Sequence, residues 1–372
     1  MLKLTYRKQE KHMKNIKGKL GFGCMRLPYI QDKIDIEQTK KMVDIFLEEG
    51  FNYFDTAHGY LDEQSEYIVK ECLTSRYSRD KYILATKLSP NYFEKNEDIR
   101  PFFNLQLEAL GVTYIDYYLM HCQNKELFKK YRECKAYEEA FKLKEEGKIR
   151  YVGFSFHDKA DVLDEIITTY PQIDFVQIQL NYLDYEDVNV EGRKCLEVCI
   201  KHNKPVIAME PVKGGSLARL PLKAKVMLDK LYNGSPASYA IRFAASCPNV
   251  FMVLSGMSNY EQMKDNISFM KDFKPITRVE NEVINRVIEI IKEVDVIPCT
   301  ACKYCLDVCP MNIKIPEIFT NINNYRRYNE YDEKQINDIE ISCIKCGKCE
   351  KACPQHINIR DLLDEAKVIF NK

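Results

Sequence analysis

The sequence predicts an α/β protein: a closed barrel of eight alternating strand and helix units, followed by a small cysteine-rich domain. Three observations carry this reading. Short β-branched or aromatic runs recur about every 30 to 40 residues, helix-like segments lie between them, and the cysteine distribution changes near residue 295.

The strand-like runs are Leu20 to Cys24, Phe51 to Thr56, Tyr82 to Lys87, Ile115 to His121, Tyr151 to Ser155, Phe175 to Asn181, Val206 to Glu210 and Phe251 to Ser255. Between them, IEQTKKMVDIFLEEG, QSEYIVKECL and YEEAFKLKEEGK place apolar residues at three-to-four spacing on charged backgrounds, as amphipathic helices do. Gly50, Gly111 and Gly147 stand where helix C-terminal glycines belong, and Ser235-Pro236 reads as an N-cap followed by a first-turn proline. Eight such units in about 270 residues fit a (β/α)8 TIM barrel, with an open doubly wound sheet as the alternative. Gly21 and Gly23 form only G-x-G, short of the G-x-G-x-x-G turn of a dinucleotide-binding sheet.

The chain has 372 residues, 55 basic and 55 acidic side chains, 45% hydrophobic residues and 15 cysteines. This is room for about two domains, and the apolar content excludes disorder. Charge balance gives no general attraction to nucleic acid or anionic lipid. The first residues are densely charged without a signal-like apolar stretch, and no run approaches the roughly 18 apolar residues of a membrane span. A cytoplasmic protein with no nucleic-acid or membrane partner is expected, in which cysteines serve as thiols or metal ligands and not as disulfides. Eight cysteines fall in two clusters between Cys299 and Cys353, which sets the expected domains at 1–294 and 295–372.

In a barrel of this kind the chemistry sits where strands end. Asp55 ends the second run, Tyr60 lies in the loop after it, Lys87 ends the third and His121 ends the fourth. Together they suit reduction of a carbonyl. A phenol with an unperturbed pKa of about 10 releases a proton reluctantly unless a cation steadies the phenolate. Lys87 is that cation, Asp55 pairs with it and keeps it charged, and His121 hydrogen-bonds the substrate oxygen.

FDTAHGY, LATK and YYLMH resemble the Asp, Tyr, Lys and His signature of the aldo/keto reductases, and the resemblance spans roughly residues 4 to 295. It implies a nicotinamide cofactor, usually NADPH, that delivers hydride while Tyr60 acts as proton donor. It also implies a cofactor groove. Ser155 in VGFSFH and Gln177 in VQIQLNY match the carboxamide-binding pair, although Phe156 stands where asparagine is common. Gln177, Gln179 and Asn181 alternate and share one side of their strand. Met209 replaces the aromatic residue that stacks on the nicotinamide. In MEPVKGGSLA, Pro211, Gly214, Gly215 and Leu217 match the loop around the pyrophosphate. In SGMSNYEQMKDN, Gly256, Ser258, Gln262 and Asn266 match the adenosine end. Gly256 and Gln262 stand where relatives carry a cation for the 2′-phosphate, so NADP rests on the resemblance and NAD stays open.

The tail reads CTACKYCLDVCP from Cys299 and CIKCGKCEKACP from Cys343. Both are C-x2-C-x2-C-x3-C-P, a pattern in which three thiolates of one run and the last of the other surround each cluster. Cys299, Cys302, Cys305 and Cys353 would then hold one 4Fe-4S cluster, and Cys343, Cys346, Cys349 and Cys309 the second. Four-thiolate zinc sites need only two closely spaced pairs, and the triple run with its closing proline is a different pattern. The tail resembles a bacterial-type ferredoxin domain, a small α+β iron–sulfur module, with residues 311–342 as a long insertion. Two oxidised clusters would add about four negative charges to an otherwise neutral chain.

A hydride carries two electrons and each cluster exchanges one, and no flavin fingerprint is visible to split the pair. The clusters therefore serve exchange with a redox partner such as ferredoxin or a flavoprotein, structure, or redox sensing. The leading expectation is an enzyme interconverting an aldehyde or ketone and its alcohol. The alternative is a redox-sensing nicotinamide-binding protein, which has no need of all four strand-end groups.

Overall fold

The computed structural model describes residues 15–231 and 234–371. The charged amino terminus and the start of the expected family match, up to residue 14, lie outside them. Strand β1 (Leu20–Gly23) is followed by an antiparallel hairpin of β2 (Tyr29–Ile30) and β3 (Lys33–Ile34). Then come β4 (Tyr53–Asp55), β5 (Ile83–Leu88), β6 (Ile115–Gln123), β7 (Ile149–Phe156), β8 (Phe175–Gln179), β9 (Val206–Met209) and β10 (Val250–Ser255). Apart from the hairpin, these strands close into a parallel barrel in the order β1-β10-β9-β8-β7-β6-β5-β4. Strand β1 pairs on one edge with β4 and on the other with β10, which rules out the open sheet.

Every expected run coincides with a barrel strand to within two residues at either end. The hairpin was not expected. Its two-residue strands are too short for a periodic signal, and Gln31 and Asp32 turn it with φ of +47° and +62°. Gly50, Gly111 and Gly147 each follow a helix (Ile36–Glu48, Asn96–Leu110, Ala136–Glu145) at φ of +88°, +66° and +74°, and Pro236 opens the helix Pro236–Ser246.

The barrel interior is filled in layers by alternate residues. Tyr53, Ala85, Tyr117, Leu119, Phe175, Ile207 and Phe251 are buried in one apolar cluster, with the Tyr117 ring 5.3 Å from Tyr53 and 5.0 Å from Phe175. Side chains two positions further along the same strands point the same way. Asp55 follows Tyr53, Lys87 follows Ala85, His121 follows Leu119, Gln177 follows Phe175 and Met209 follows Ile207. The polar groups thus form the layer above an apolar plug. At Gly153 a Cβ would lie 2.6 Å from the Phe175 carbonyl oxygen, so the close approach of β7 and β8 requires glycine.

The chain forms two compact units. The first comprises residues up to Pro211 and Ala237–Ile276, and the second Val212–Pro236 with Thr277–Lys372. In the second unit, helix Arg278–Lys292 begins with a capping box: the Thr277 N–H donates to Glu280 Oε2 at 2.7 Å, and the Glu280 N–H donates to Thr277 Oγ1 at 3.3 Å. That helix packs against helix Leu222–Asp229.

The cysteine-rich part is an internal repeat. Helix Tyr304–Asp307 lies within the first motif and Ile315–Tyr328 follows it, and Lys348–Lys351 and Ile359–Ile369 stand in the same positions in and after the second. Ala301, Lys303 and Asn312 have φ of +52°, +70° and +52°, and their counterparts Lys345, Gly347 and His356 have +58°, +72° and +51°. One core, rich in isoleucine, joins the two halves through Ile313, Ile315, Ile357 and Ile359. Residues 311–342, expected only as an insertion, supply helices Ile315–Tyr328 and Glu333–Asn337, whose Ile318, Phe319, Ile322 and Ile336 belong to that same core. Among the described residues this part is helical, without the strands that an α+β module would carry. No helix of the described residues is long and apolar enough to cross a membrane.

Candidate active site and cysteine-lined hollows

The four strand-end groups converge within the first unit. The Lys87 ammonium is fully buried and donates to Asp55 Oδ1 at 2.6 Å and to the Thr56 carbonyl at 2.8 Å. It also hydrogen-bonds Tyr60 and lies 5.0 Å from the centroid of its ring. Burial opposes the charge on Lys87, yet the Asp55 carboxylate and the Tyr60 oxygen outweigh it and raise its pKa. The lysine is therefore an ammonium at pH 7.

The phenol behaves differently from the sequence expectation. Burial pushes the Tyr60 pKa up to about 12, and Lys87 opposes this without reversing it. Lys87 thus limits the cost of the phenolate, and the resting group is a neutral acid. The Tyr60 and His121 rings meet edge-on with centroids 5.9 Å apart. Burial, followed by the Lys87 and His157 charges, holds the His121 imidazole well below its ordinary value, so it is neutral.

His121 lies at a kink in β6. Register with β7 shifts between Met120 and Gln123, and Cys122 has φ of +58°. Two groups fix the kink: the Cys122 N–H donates to Ser155 Oγ at 2.9 Å, and Ser89 Oγ lies 2.7 Å from His121 Nδ1. Ser89 was missed in the sequence. It stands two residues after Lys87, and that spacing was the available signal.

The expected cofactor residues divide. Ser155, Gln177 and Met209 are buried at the ends of adjacent strands, and Gln177 Nε2 donates to Met209 Sδ at 3.3 Å. Gln177 Oε1 is buried without a hydrogen-bond partner among the described residues, which suits an amide donor arriving from a ligand. Gln179 and Asn181 instead both donate to Asp184 Oδ2 at 2.7 Å, holding the loop after β8. Pro211 closes β9 and is buried. Gly256, Ser258, Gln262 and Asn266 gather after β10: the Ser258 N–H donates to Gln262 Oε1 at 2.8 Å, and Asn266 Nδ2 to Ser255 Oγ at 2.7 Å. A Cβ on Gly256 would sit 3.2 Å from Arg26 Cδ, so a cation missed in the sequence borders this glycine. Cys24 is buried with its thiol pKa pushed far up, which makes it inert.

In the second unit, Gly214 (φ +62°), Gly215 (φ +98°) and buried Leu217 shape the turn that begins at Lys213. The eight motif cysteines line two separate hollows. Cys299, Cys302, Cys305 and Cys353 line one of about 320 Å³. Cys309, Cys343, Cys346 and Cys349 line the other, of about 310 Å³. The first cysteine of each run accepts a backbone N–H two residues on, Ala301 to Cys299 Sγ and Lys345 to Cys343 Sγ, both at 3.4 Å. Among the described residues no three His, Cys, Asp or Glu side chains converge as a single metal ion requires.

Residues 19–289 match the aldo/keto reductase family. The chain belongs to that family. As an aldo/keto reductase family member it is an oxidoreductase with the family's barrel, and its residues 298–357 match a 4Fe-4S dicluster domain. It is 27% identical over 281 residues to an uncharacterized oxidoreductase, YqkF, of Bacillus subtilis, covering 67% of this chain and 86% of that protein. The holo form of the aldo-keto reductase AKR11C1 from Bacillus halodurans is 26% identical, with a TM-score of 0.58 over 72% of this chain and 91% of that one. An aldo-keto reductase from Klebsiella pneumoniae, solved in complex with NADPH, shares the fold at 19% identity, with a TM-score of 0.59 over 73% and 90%.

Proposed function

We propose that this aldo/keto reductase family member interconverts an aldehyde or ketone and its alcohol by hydride transfer, using NADP with NAD as the alternative, and that its tail holds two 4Fe-4S clusters. The observation that carries the first part is the buried contact of Lys87 with Asp55 and Tyr60 beside a neutral His121. The nicotinamide, when bound, supplies or accepts the hydride. Ser155 and Gln177 would hold its carboxamide, since Gln177 Oε1 lacks a donor among the described residues. Pro211 would border its pyrophosphate, and Gly256, Ser258, Gln262 and Asn266 would hold its adenosine end.

The chain's own residues handle the proton. His121, neutral and steadied by Ser89, hydrogen-bonds the substrate oxygen and places it against the Tyr60 hydroxyl. Tyr60 donates its proton to that oxygen as negative charge develops there. Lys87 stabilises the phenolate left behind, and Asp55 holds Lys87 in place and charged. Reversal removes the proton from an alcohol through the same groups.

For the tail, the two cysteine-lined hollows support the crossed assignment: Cys299, Cys302, Cys305 and Cys353 for one cluster, and Cys343, Cys346, Cys349 and Cys309 for the other. The clusters exchange electrons with a redox partner such as ferredoxin or a flavoprotein, or brace the domain. Whether NADPH reduces them separates these roles.

Tyr60→Phe tests the hydride reading. Carbonyl-dependent oxidation of NADPH and NADH is expected to vanish while nucleotide binding, followed by fluorescence, persists. Full turnover in this variant would overturn the assignment.

A further inference from the structure

The second unit contains a buried cation that neither the hydride chemistry nor the cysteine spacing uses. Lys213 is 5% exposed, and its ammonium donates to Gln355 Oε1 at 3.3 Å. Gln355, itself 5% exposed, comes two residues after Cys353 and lines the hollow formed by Cys299, Cys302, Cys305 and Cys353. The next residue, Gly214, is pressed onto the same wall: a Cβ there would lie 2.6 Å from the carbonyl oxygen of Thr300, which follows Cys299 and lines that hollow too. The turn is thus held to the first hollow at both Thr300 and Gln355.

Other cations near the two hollows are placed differently. Lys303 lines the first hollow but is exposed, where water and salt screen its charge. Arg360 lines the second, is exposed as well, and is ion-paired with Glu350 at 2.8 Å. Among the described residues, then, the first hollow alone has a deeply buried lysine behind a residue of its wall.

We propose that Lys213 is a positioning residue for the first cluster, acting through Gln355 to hold its reduction potential above the value it would have without the charge. Reduction adds one electron to the cluster, so the reduced state carries one more negative charge than the oxidised state. A buried cation stabilises the reduced state more, because little solvent screens the interaction. Cluster potentials respond to local charge and to hydrogen bonding in this way. The proposal rests on the reading that the hollow holds a 4Fe-4S cluster.

The test uses full-length protein reconstituted anaerobically, as wild type, Lys213→Gln, Lys213→Met and Lys213→Arg. Iron and sulfide are counted, and each sample is titrated with dithionite while the reduced clusters are followed by electron paramagnetic resonance. In Lys213→Gln, which can still hydrogen-bond Gln355, one midpoint potential is expected to shift downward and the other to stay. Lys213→Arg is expected to restore the shifted midpoint towards wild type. If Lys213→Met loses iron while Lys213→Gln keeps it, the glutamine variant decides. Both midpoints unchanged in an iron-replete Lys213→Gln sample, or both shifted alike, would overturn the role of Lys213. Absence of any cluster from wild type would instead overturn the reading beneath it.

Discussion

Ser89 Oγ and His121 Nδ1 lie 2.7 Å apart, both buried, one just past the end of β5 and the other at the kink of β6. With the hydroxyl donating to Nδ1, the proton of the neutral imidazole resides on Nε2, where it can be offered to a substrate oxygen. A residue outside the recognised quartet therefore holds the imidazole through Nδ1 and leaves Nε2 free of that contact.

Ser89→Ala removes that hydrogen bond while leaving Tyr60, Lys87 and Asp55 in place. Loss of one hydrogen bond of about 1 kcal/mol corresponds to roughly a fivefold fall in kcat for carbonyl reduction. Nucleotide affinity is expected to hold. Steady-state kinetics with both substrates varied checks it, and an unchanged kcat would remove Ser89 from the mechanism.

The pH dependence follows from Tyr60, whose pKa is pushed up to about 12. Reduction needs the protonated phenol, which predominates at every pH below that value, so the reductive rate has no basic limb between about pH 7 and about pH 9. Oxidation of an alcohol needs the phenolate, so its rate should climb with pH, roughly tenfold per unit, towards the same value. Lys87→Met removes the cation that opposes burial and should depress the oxidative direction further. Initial rates in both directions across a buffer series measure this.

Asp55→Asn leaves the fully buried Lys87 without its ionic partner. Stranding a buried charge costs about 3–5 kcal/mol, so the midpoint of thermal unfolding should drop by several degrees. Scanning calorimetry of Asp55→Asn and of the double variant Asp55→Asn, Lys87→Met separates the two charges: the double variant should recover part of the loss.

The crossed cluster assignment makes a pairing prediction. Cys309→Ser should disturb the same cluster as Cys346→Ser, and Cys353→Ser the same cluster as Cys302→Ser. Each single variant should fall from about eight irons per chain towards about four, with the other cluster's spectrum retained. If Cys309→Ser matched Cys302→Ser instead, each run would hold its own cluster.

Much of this was legible along the chain because periodicity survives without tertiary context. Strand runs, glycine helix ends and the strand-end positions of Asp55, Lys87 and His121 all follow from repeats of two or between three and four residues. The hairpin at Tyr29–Ile34 carried no such period, and the helices within residues 311–342 were hidden by a reading that took the stretch as an insertion. Arg26 beside Gly256 joins residues far apart in sequence, so no local pattern announces it.

By itself the sequence determined the eight barrel strands, the strand-end positions of Asp55, Lys87 and His121 and the division of the cysteines into two runs, because each is a matter of spacing along one chain. Tertiary structure alone decided that β1 closes the barrel by pairing with both β4 and β10, that burial makes Tyr60 a neutral acid despite Lys87, and that Ser89 steadies His121. It likewise decided that Lys213 is buried against Gln355. These depend on dielectric surroundings and on contacts between distant segments, and both come into being only when the chain has packed.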